Sequence, residues 1–206
     1  MITKIENNQI LINTINKDFP NFKFAGVFGS SQTAADYEEI SIWGELARSL
    51  TKHNIGVING GYQGTMKYIS DLIKVNNGIS IGITCSKIDD EISYECYSKI
   101  FEVNNILNRL EALIMIPDFY IVLPGGIGTL VEIISVLWFM DRNFISNKKI
   151  MLLGNCWSNV IPLITSNDLM FRSLDNIENL FIKVEYPSEI DDKINLVLRN
   201  INKKIV

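Results

Sequence analysis

Short apolar runs alternating with longer amphipathic stretches predict an α/β fold: a single domain with a doubly wound, mostly parallel sheet flanked by helices, Rossmann-like in kind. Two further observations support that class. Three glycine-bearing turns follow predicted strands, where sheets of this class place their ligands. The 206 residues are 47% apolar and 20% charged, enough for one sizeable core and too apolar for disorder.

The elements can be taken in chain order. Residues 1–20 carry Ile5, Ile10, Leu11, Ile12 and Ile15 and are expected to form an N-terminal helical extension, packed on the domain or on a partner subunit, ahead of a nucleotide-binding α/β domain over 21–206. Phe22–Phe28 reads as a strand ending in Gly29-Ser30-Ser31. Tyr37–Lys52 is helical, with Ile40, Trp43, Leu46, Ala47 and Leu50 at i, i+3, i+4 spacing. Ile55–Ile58 is a strand, followed by Gly60-Gly61-Tyr62-Gln63-Gly64 and a helix over Thr65–Val75. Ile79–Thr84 is the next strand, and Asn104–Ile116 a helix leading into the apolar strand Phe119–Leu123. A helix over Thr129–Arg142, a strand over Lys149–Leu153 and a helix over Trp157–Thr165 follow. Phe181–Val184 is a last strand and Ser188–Asn202 a closing helix.

Composition excludes some functions. A net charge of −4 speaks against binding a nucleic-acid polymer through bulk phosphate neutralisation, while leaving room for a local site for one small phosphate. No run approaches the roughly 20 apolar residues that span a bilayer, and the N-terminal residues lack a signal-type apolar segment, so the expectation is a cytoplasmic protein without membrane contact. Cys85, Cys96 and Cys156 form no CxxC pair and read as reduced thiols in or near the core. His53 is the only histidine, which excludes a Ser-His-Asp triad and any multi-histidine metal site; it reads as a solvated residue at a helix end. Asp89-Asp90-Glu91 reads as a solvated loop, and Trp43, Trp138 and Trp157 as core or interface anchors.

The chemistry concentrates around Gly125-Gly126-Ile127-Gly128-Thr129. Glycine lets backbone approach an anion closely, and amides at a helix start point outward with partial positive charge. The loop is neither a GxxxxGK[ST] nor a GxGxxG motif. Glu132 is the only acid between Asp118 and Asp141. Locally it completes a capping box with Thr129 as N-cap; alternatively it is a carboxylate in an apolar cleft, able to act as general base or to stabilise a cationic sugar. Arg109 lies on the preceding helix, on a face with Asn105, Asn108 and Ala112 opposite the stripe Ile106, Leu110, Leu113 and Ile114. It suits a phosphate or a ribose–base edge, or else a surface salt bridge with Glu102 or Glu111.

Pro124-Gly125-Gly126-Ile127-Gly128-Thr129-Leu130-Val131-Glu132 resembles the PGGxGTxxE signature of the LOG (Lonely Guy) proteins, cytokinin-activating phosphoribohydrolases once labelled lysine decarboxylases. Gly29-Ser30-Ser31 is similar to that family's first GSS turn, Gly60–Met66 to its GGGxxGLMG turn, and Asn108-Arg109 falls where it carries an RK pair. The likeness runs from Phe22 to Lys204.

The resemblance implies hydrolysis of the N-glycosidic bond of a nucleoside 5′-monophosphate to free base and ribose 5-phosphate, without a cofactor or metal, by a homodimer. It implies Arg109 and Glu132 as the catalytic pair, with Gly29, Ser30, Gly60, Gly61, Gly64, Thr65, Asn108, Gly125, Gly126, Gly128 and Thr129 holding the substrate. Leu110 stands where the family has Lys, Val131 where its common form has a second acid, and Asn59 where its second turn has another glycine. The alternative is a non-catalytic protein on the same fold that binds a nucleotide or a phosphorylated cofactor.

Overall fold

Four of the strands are buried along their whole length, because a sheet covered by helices on both faces leaves no strand face for water. In chain order the elements are β1 (Ile2–Ile5), α1 (Asn8–Asp18), β2 (Lys23–Phe28), α2 (Tyr37–Lys52), β3 (Ile55–Asn59), α3 (Thr65–Val75), β4 (Ser80–Cys85), β5 (Lys99–Val103), α4 (Ile106–Met115), β6 (Phe119–Val122), α5 (Ile127–Asp141), β7 (Ile150–Leu153), α6 (Trp157–Thr165), β8 (Phe181–Val184) and α7 (Ile190–Asn202). The structure, a computed structural model, describes residues 2–32, 37–85, 94–165, 174 and 177–202. The acidic run Asp89-Asp90-Glu91 lies outside them.

The strands form one sheet in the order β1-β5-β4-β3-β2-β6-β7-β8, and every pairing is parallel. The fold class expected from the sequence is therefore the one observed. From β2 the chain builds outward through β3, β4 and β5, then returns to the other side of β2 with β6. The loops after β2 and β6 thus diverge above the sheet, at the switch point where a crevice opens.

Helices seal both faces. Leu11 and Ile15 of α1, Ala112 and Leu113 of α4, Ile133 and Leu137 of α5 and Trp157 of α6 pack with Phe28, Tyr120 and Val122 on one side. Trp43 and Leu46 of α2, Ile69 and Ile73 of α3 and Ile194 and Val197 of α7 cover the other. Asp191 joins α7 to α2 by accepting from Ser49 Oγ at 2.7 Å and Lys52 Nζ at 2.9 Å, with His53 Nε2 3.1 Å away. The Ser49 hydroxyl, then Lys52 and His53, hold the Asp191 carboxyl well below the usual carboxylate range. His53 is thus half-buried against the Asp191 carboxylate rather than a solvated helix end.

Three sequence expectations change. Residues 2–5, expected in a helix, form an edge strand in register with β5, from Ile2 opposite Ile100 to Ile5 opposite Val103. The helix starts only at Asn8, where the Asn7 side chain accepts from the Ile10 amide. β5 itself escapes the pattern because Lys99 and Glu102 interrupt its apolar run. Cys85 and Cys96 are buried as expected, whereas Cys156 is exposed, as is Trp138.

Trp157 reaches from α6 to the strand end that carries the glycine loop, its indole N–H donating to the Leu123 carbonyl at 3.2 Å. Trp157→Phe keeps most of the packing and removes this one bond to a buried acceptor. Urea unfolding should show a loss of about 1–2 kcal/mol; no measurable loss would mean the bond contributes nothing to holding Leu123.

Candidate active site

The cleft floor is built from the turns that leave β2, β3 and β6. The first two are tied together: Thr65 donates to the Ser30 carbonyl through both its backbone N–H at 2.9 Å and its hydroxyl at 3.0 Å. The fit leaves no room for side chains. A Cβ on Gly29 would run into the Thr65 hydroxyl, and Gly64, at φ +71°, faces the Ser30 carbonyl. Gly29, Ser30, Gly64 and Thr65, all expected at the site, are brought together here.

The second turn is held from below by Asn59, where the related signature has glycine. Its side-chain oxygen accepts from the Gly61 amide at 3.0 Å and the Tyr97 hydroxyl at 2.7 Å. Its amide donates to the Met66 carbonyl at 3.2 Å and Ser70 Oγ at 3.0 Å. This fully buried side chain fixes Gly61 at φ +80°, a conformation glycine adopts without strain.

The third turn presents donors outward. α5 begins at Ile127 with Gly126 as N-cap, and the first helical bond runs from the Leu130 amide to the Gly126 carbonyl at 3.1 Å. The amides of Ile127, Gly128 and Thr129 precede any possible partner within the helix. Gly125, Gly126 and Gly128 are exposed, so an anion can approach the backbone. Thr129 is buried below them, and its hydroxyl, packed against Gly125, has no hydrogen-bond partner among the described residues. The capping box is not formed: with Gly126 as cap, Thr129 is already inside the first turn and Glu132 lies in the second.

Asn105 caps α4 by accepting from the amides of Leu107 and Asn108, at 3.0 and 2.9 Å. The helix is rotated from the expected stripe: Ile106 is 48% exposed, while Arg109 and Ala112 face inward with Leu113 and Ile114. The reason is that α4 crosses β4, where Arg109 finds an acceptor. Its Nε donates to the Ile83 carbonyl at 3.0 Å, its guanidinium carbon lies 5.1 Å from the Tyr62 ring centroid, and a terminal nitrogen abuts Gly60. The surface-bridge alternative falls away, since Glu102 pairs with Lys4 and Glu111 accepts from Asn8. Asn108 is tied through its carbonyl to Asn8 of α1 at 2.9 Å.

Glu132 is half-buried. Burial pushes its carboxyl up to about 7, while the Arg109 charge draws it down. Among the described residues no contact ion pair joins the two; the cation acts across the cleft. Near neutral pH this carboxyl therefore exchanges protons readily, the property a general base requires. Sequence reasoning did not find Asn59, Tyr62, Ile83 and Tyr97 as parts of this arrangement. The one signal was an aromatic residue, Tyr62, inside a glycine turn.

A family model described as the SLOG cluster4 family matches residues 23–183. The chain is 30% identical over 95 residues to a cytokinin riboside 5′-monophosphate phosphoribohydrolase of Arabidopsis thaliana, an overlap of 45% of this chain and 42% of that one. It spans about half the length of the curated relatives it matches first. The molybdenum cofactor binding protein of Rippkaea orientalis superposes with a TM-score of 0.65 at 19% identity, over 86% of this chain and 98% of that one. The molybdenum cofactor carrier protein of Chlamydomonas reinhardtii gives 0.62 at 16% identity, over 86% and 98%. These two structures share the fold.

The displaced carboxyl also sets a stability prediction. Folding raises the Glu132 pKa from 4.5 to about 7, so the folded chain retains a proton that the unfolded chain loses, and stability falls as pH rises through that window. Glu132→Gln removes the penalty. At pH 8 the variant should be the more stable by about 3 kcal/mol, and at pH 4 the two should unfold alike. Equal thermal stability at pH 8 would contradict this.

Proposed function

The chain belongs to the SLOG cluster4 family, and from that premise we propose that it hydrolyses the N-glycosidic bond of a nucleoside 5′-monophosphate, releasing free base and ribose 5-phosphate. The observation that carries this reading is the pairing of Glu132 with Arg109 beside an open helix start. A half-buried carboxyl poised near neutrality stands one helical turn beyond outward amides and the unpartnered Thr129 hydroxyl, across from a buried guanidinium. The likeness to the Arabidopsis phosphoribohydrolase supports the same chemistry.

In this mechanism Gly125, Gly126, Gly128 and Thr129 hold the 5′-phosphate against the α5 N-terminus. Gly29, Ser30, Gly60, Gly61, Gly64 and Thr65 form the opposite wall, and Asn108 flanks it. The C1′–N bond breaks with its electron pair passing to the base, and C1′ acquires oxocarbenium character. The Glu132 carboxylate stabilises that charge and takes a proton from the attacking water, whose oxygen forms the new bond to C1′. The departing base nitrogen takes up a proton from solvent and Glu132 returns to solvent the proton it took, so one water is divided between the two products. Arg109 keeps Glu132 ionised over more of the neutral range and offers its terminal N–H groups to the substrate.

A second reading has its own support. The fold is shared with proteins named for binding and carrying the molybdenum cofactor, so a non-catalytic binder of a nucleotide or phosphorylated cofactor is the rival. Leu110 and Val131 bear on which base would be accepted. We also propose a homodimer through α5, where Ile127, Val131, Ile134 and Trp138 form an exposed apolar stripe at i, i+4, i+7 and i+11. A cytoplasmic location fits the buried thiols of Cys85 and Cys96, and among the described residues no helix is long and apolar enough to cross a membrane.

Incubation with AMP, CMP, GMP and UMP should release free base from at least one. Glu132→Gln should lower turnover by about 100-fold or more while leaving the nucleotide-induced rise in melting temperature nearly intact. Arg109→Ala should weaken both. Nucleotide-dependent stabilisation without any released base would decide for the binding protein, and a fully active Glu132→Gln would end the mechanism. Trp138→Lys should convert dimers to monomers in sedimentation analysis; a wild-type monomer would refute the dimer.

A further inference from the structure

Arg109 is a buried cation whose position is set by few contacts. Its Nε is committed to the Ile83 carbonyl at 3.0 Å, which fixes one edge of the guanidinium. Its plane is held by the Tyr62 ring, whose centroid lies 5.1 Å from the guanidinium carbon. That ring is itself immobilised. Tyr62 is 2% exposed, and its hydroxyl both donates to the Cys85 carbonyl and accepts from the Cys85 amide, each at 3.1 Å. A phenol joined twice to the end of β4 behaves as an added rung of the sheet. On the chain side, the turn carrying Tyr62 is fixed through Gly61 by Asn59. Gly60 leaves the space the guanidinium fills, since a Cβ there would collide with it.

We propose that Tyr62 is a positioning residue for Arg109: its ring is the platform on which the guanidinium rests, and its two hydrogen bonds to the Cys85 backbone set where that platform stands. Tyr62 does not touch the reacting atoms in this scheme and acts only through Arg109. The inference rests on the assignment of Arg109 and Glu132 as the working pair. Without the platform, Nε can keep its bond to Ile83 while the terminal nitrogens swing about it, and the position of the charge relative to Glu132 is no longer fixed. Aliphatic replacement should therefore weaken the influence of Arg109 on Glu132, whereas Tyr62→Phe keeps the ring face and loses only the backbone anchor.

The test is carboxyl NMR of the full chain labelled with 13C-glutamate, the Glu132 signal being identified by its loss in Glu132→Gln. In Tyr62→Leu the Glu132 carboxyl should titrate at higher pH than in the wild type, because the neighbouring charge that lowers its pKa is less well directed. Tyr62→Phe should fall between the two. With an active chain, kcat should fall by roughly 10- to 100-fold in Tyr62→Leu, and its acidic limb should move to higher pH. If Tyr62→Leu does not fold, the same upward displacement in Tyr62→Phe decides the matter. An unchanged Glu132 titration in the folded variant overturns the proposal. A wild type that releases no base from any nucleotide overturns the hydrolase reading instead, and the titration still tests the platform.

Discussion

Parallel strands joined by crossovers leave their connecting loops at one end of the sheet, and the reversal between β2 and β6 makes two of those loops part company. The crevice is a consequence of that topology, and every polar feature of the site is an adaptation to it. Where one strand outruns its neighbour, as β4 outruns β3 beyond Gly82, carbonyls and amides lose a partner on that side, and buried groups of this kind must be paired. Ile83 offers its carbonyl to Arg109, Cys85 offers both its groups to Tyr62, and Leu123 offers its carbonyl to Trp157. Side chains complete the ladder where strands no longer can.

The polar groups around the cleft divide into satisfied and unsatisfied sets. Asn59 spends its amide and its oxygen on four partners, so its burial is offset and the turn above it is rigid. The Thr129 hydroxyl, equally inaccessible, has no partner among the described residues, which costs about 1–3 kcal/mol unless something supplies one. Glu132 sits between, its carboxyl strained toward neutrality by burial and drawn back by a cation.

The core strands were legible because residues such as Ile121 and Met151 are covered on both faces and read as unbroken apolar runs. The edges were not: β1 is polar on its open side, and β5 carries Lys99 and Glu102 within its five residues. The start of α5 was misplaced because Thr129 followed by Glu132 imitates a capping box, whereas Gly126 in extended conformation begins the helix without a side-chain bond. The glycine turns and the Arg109–Glu132 pair stood out as local motifs. Their supports did not, since Tyr97 meets Asn59 across 38 positions of chain and Arg109 meets Ile83 across 26. Such pairings belong to the folded topology and leave no trace in spacing.

The two hydrogen bonds from Thr65 to the Ser30 carbonyl join loops from two different crossovers before any ligand is present. Loops of this kind ordinarily lose conformational entropy on ligand capture, and that loss is subtracted from the affinity. Here the loss is incurred when the chain folds. Whatever anion enters then meets a lock already cut to shape, and its affinity reflects its fit rather than the work of building the wall.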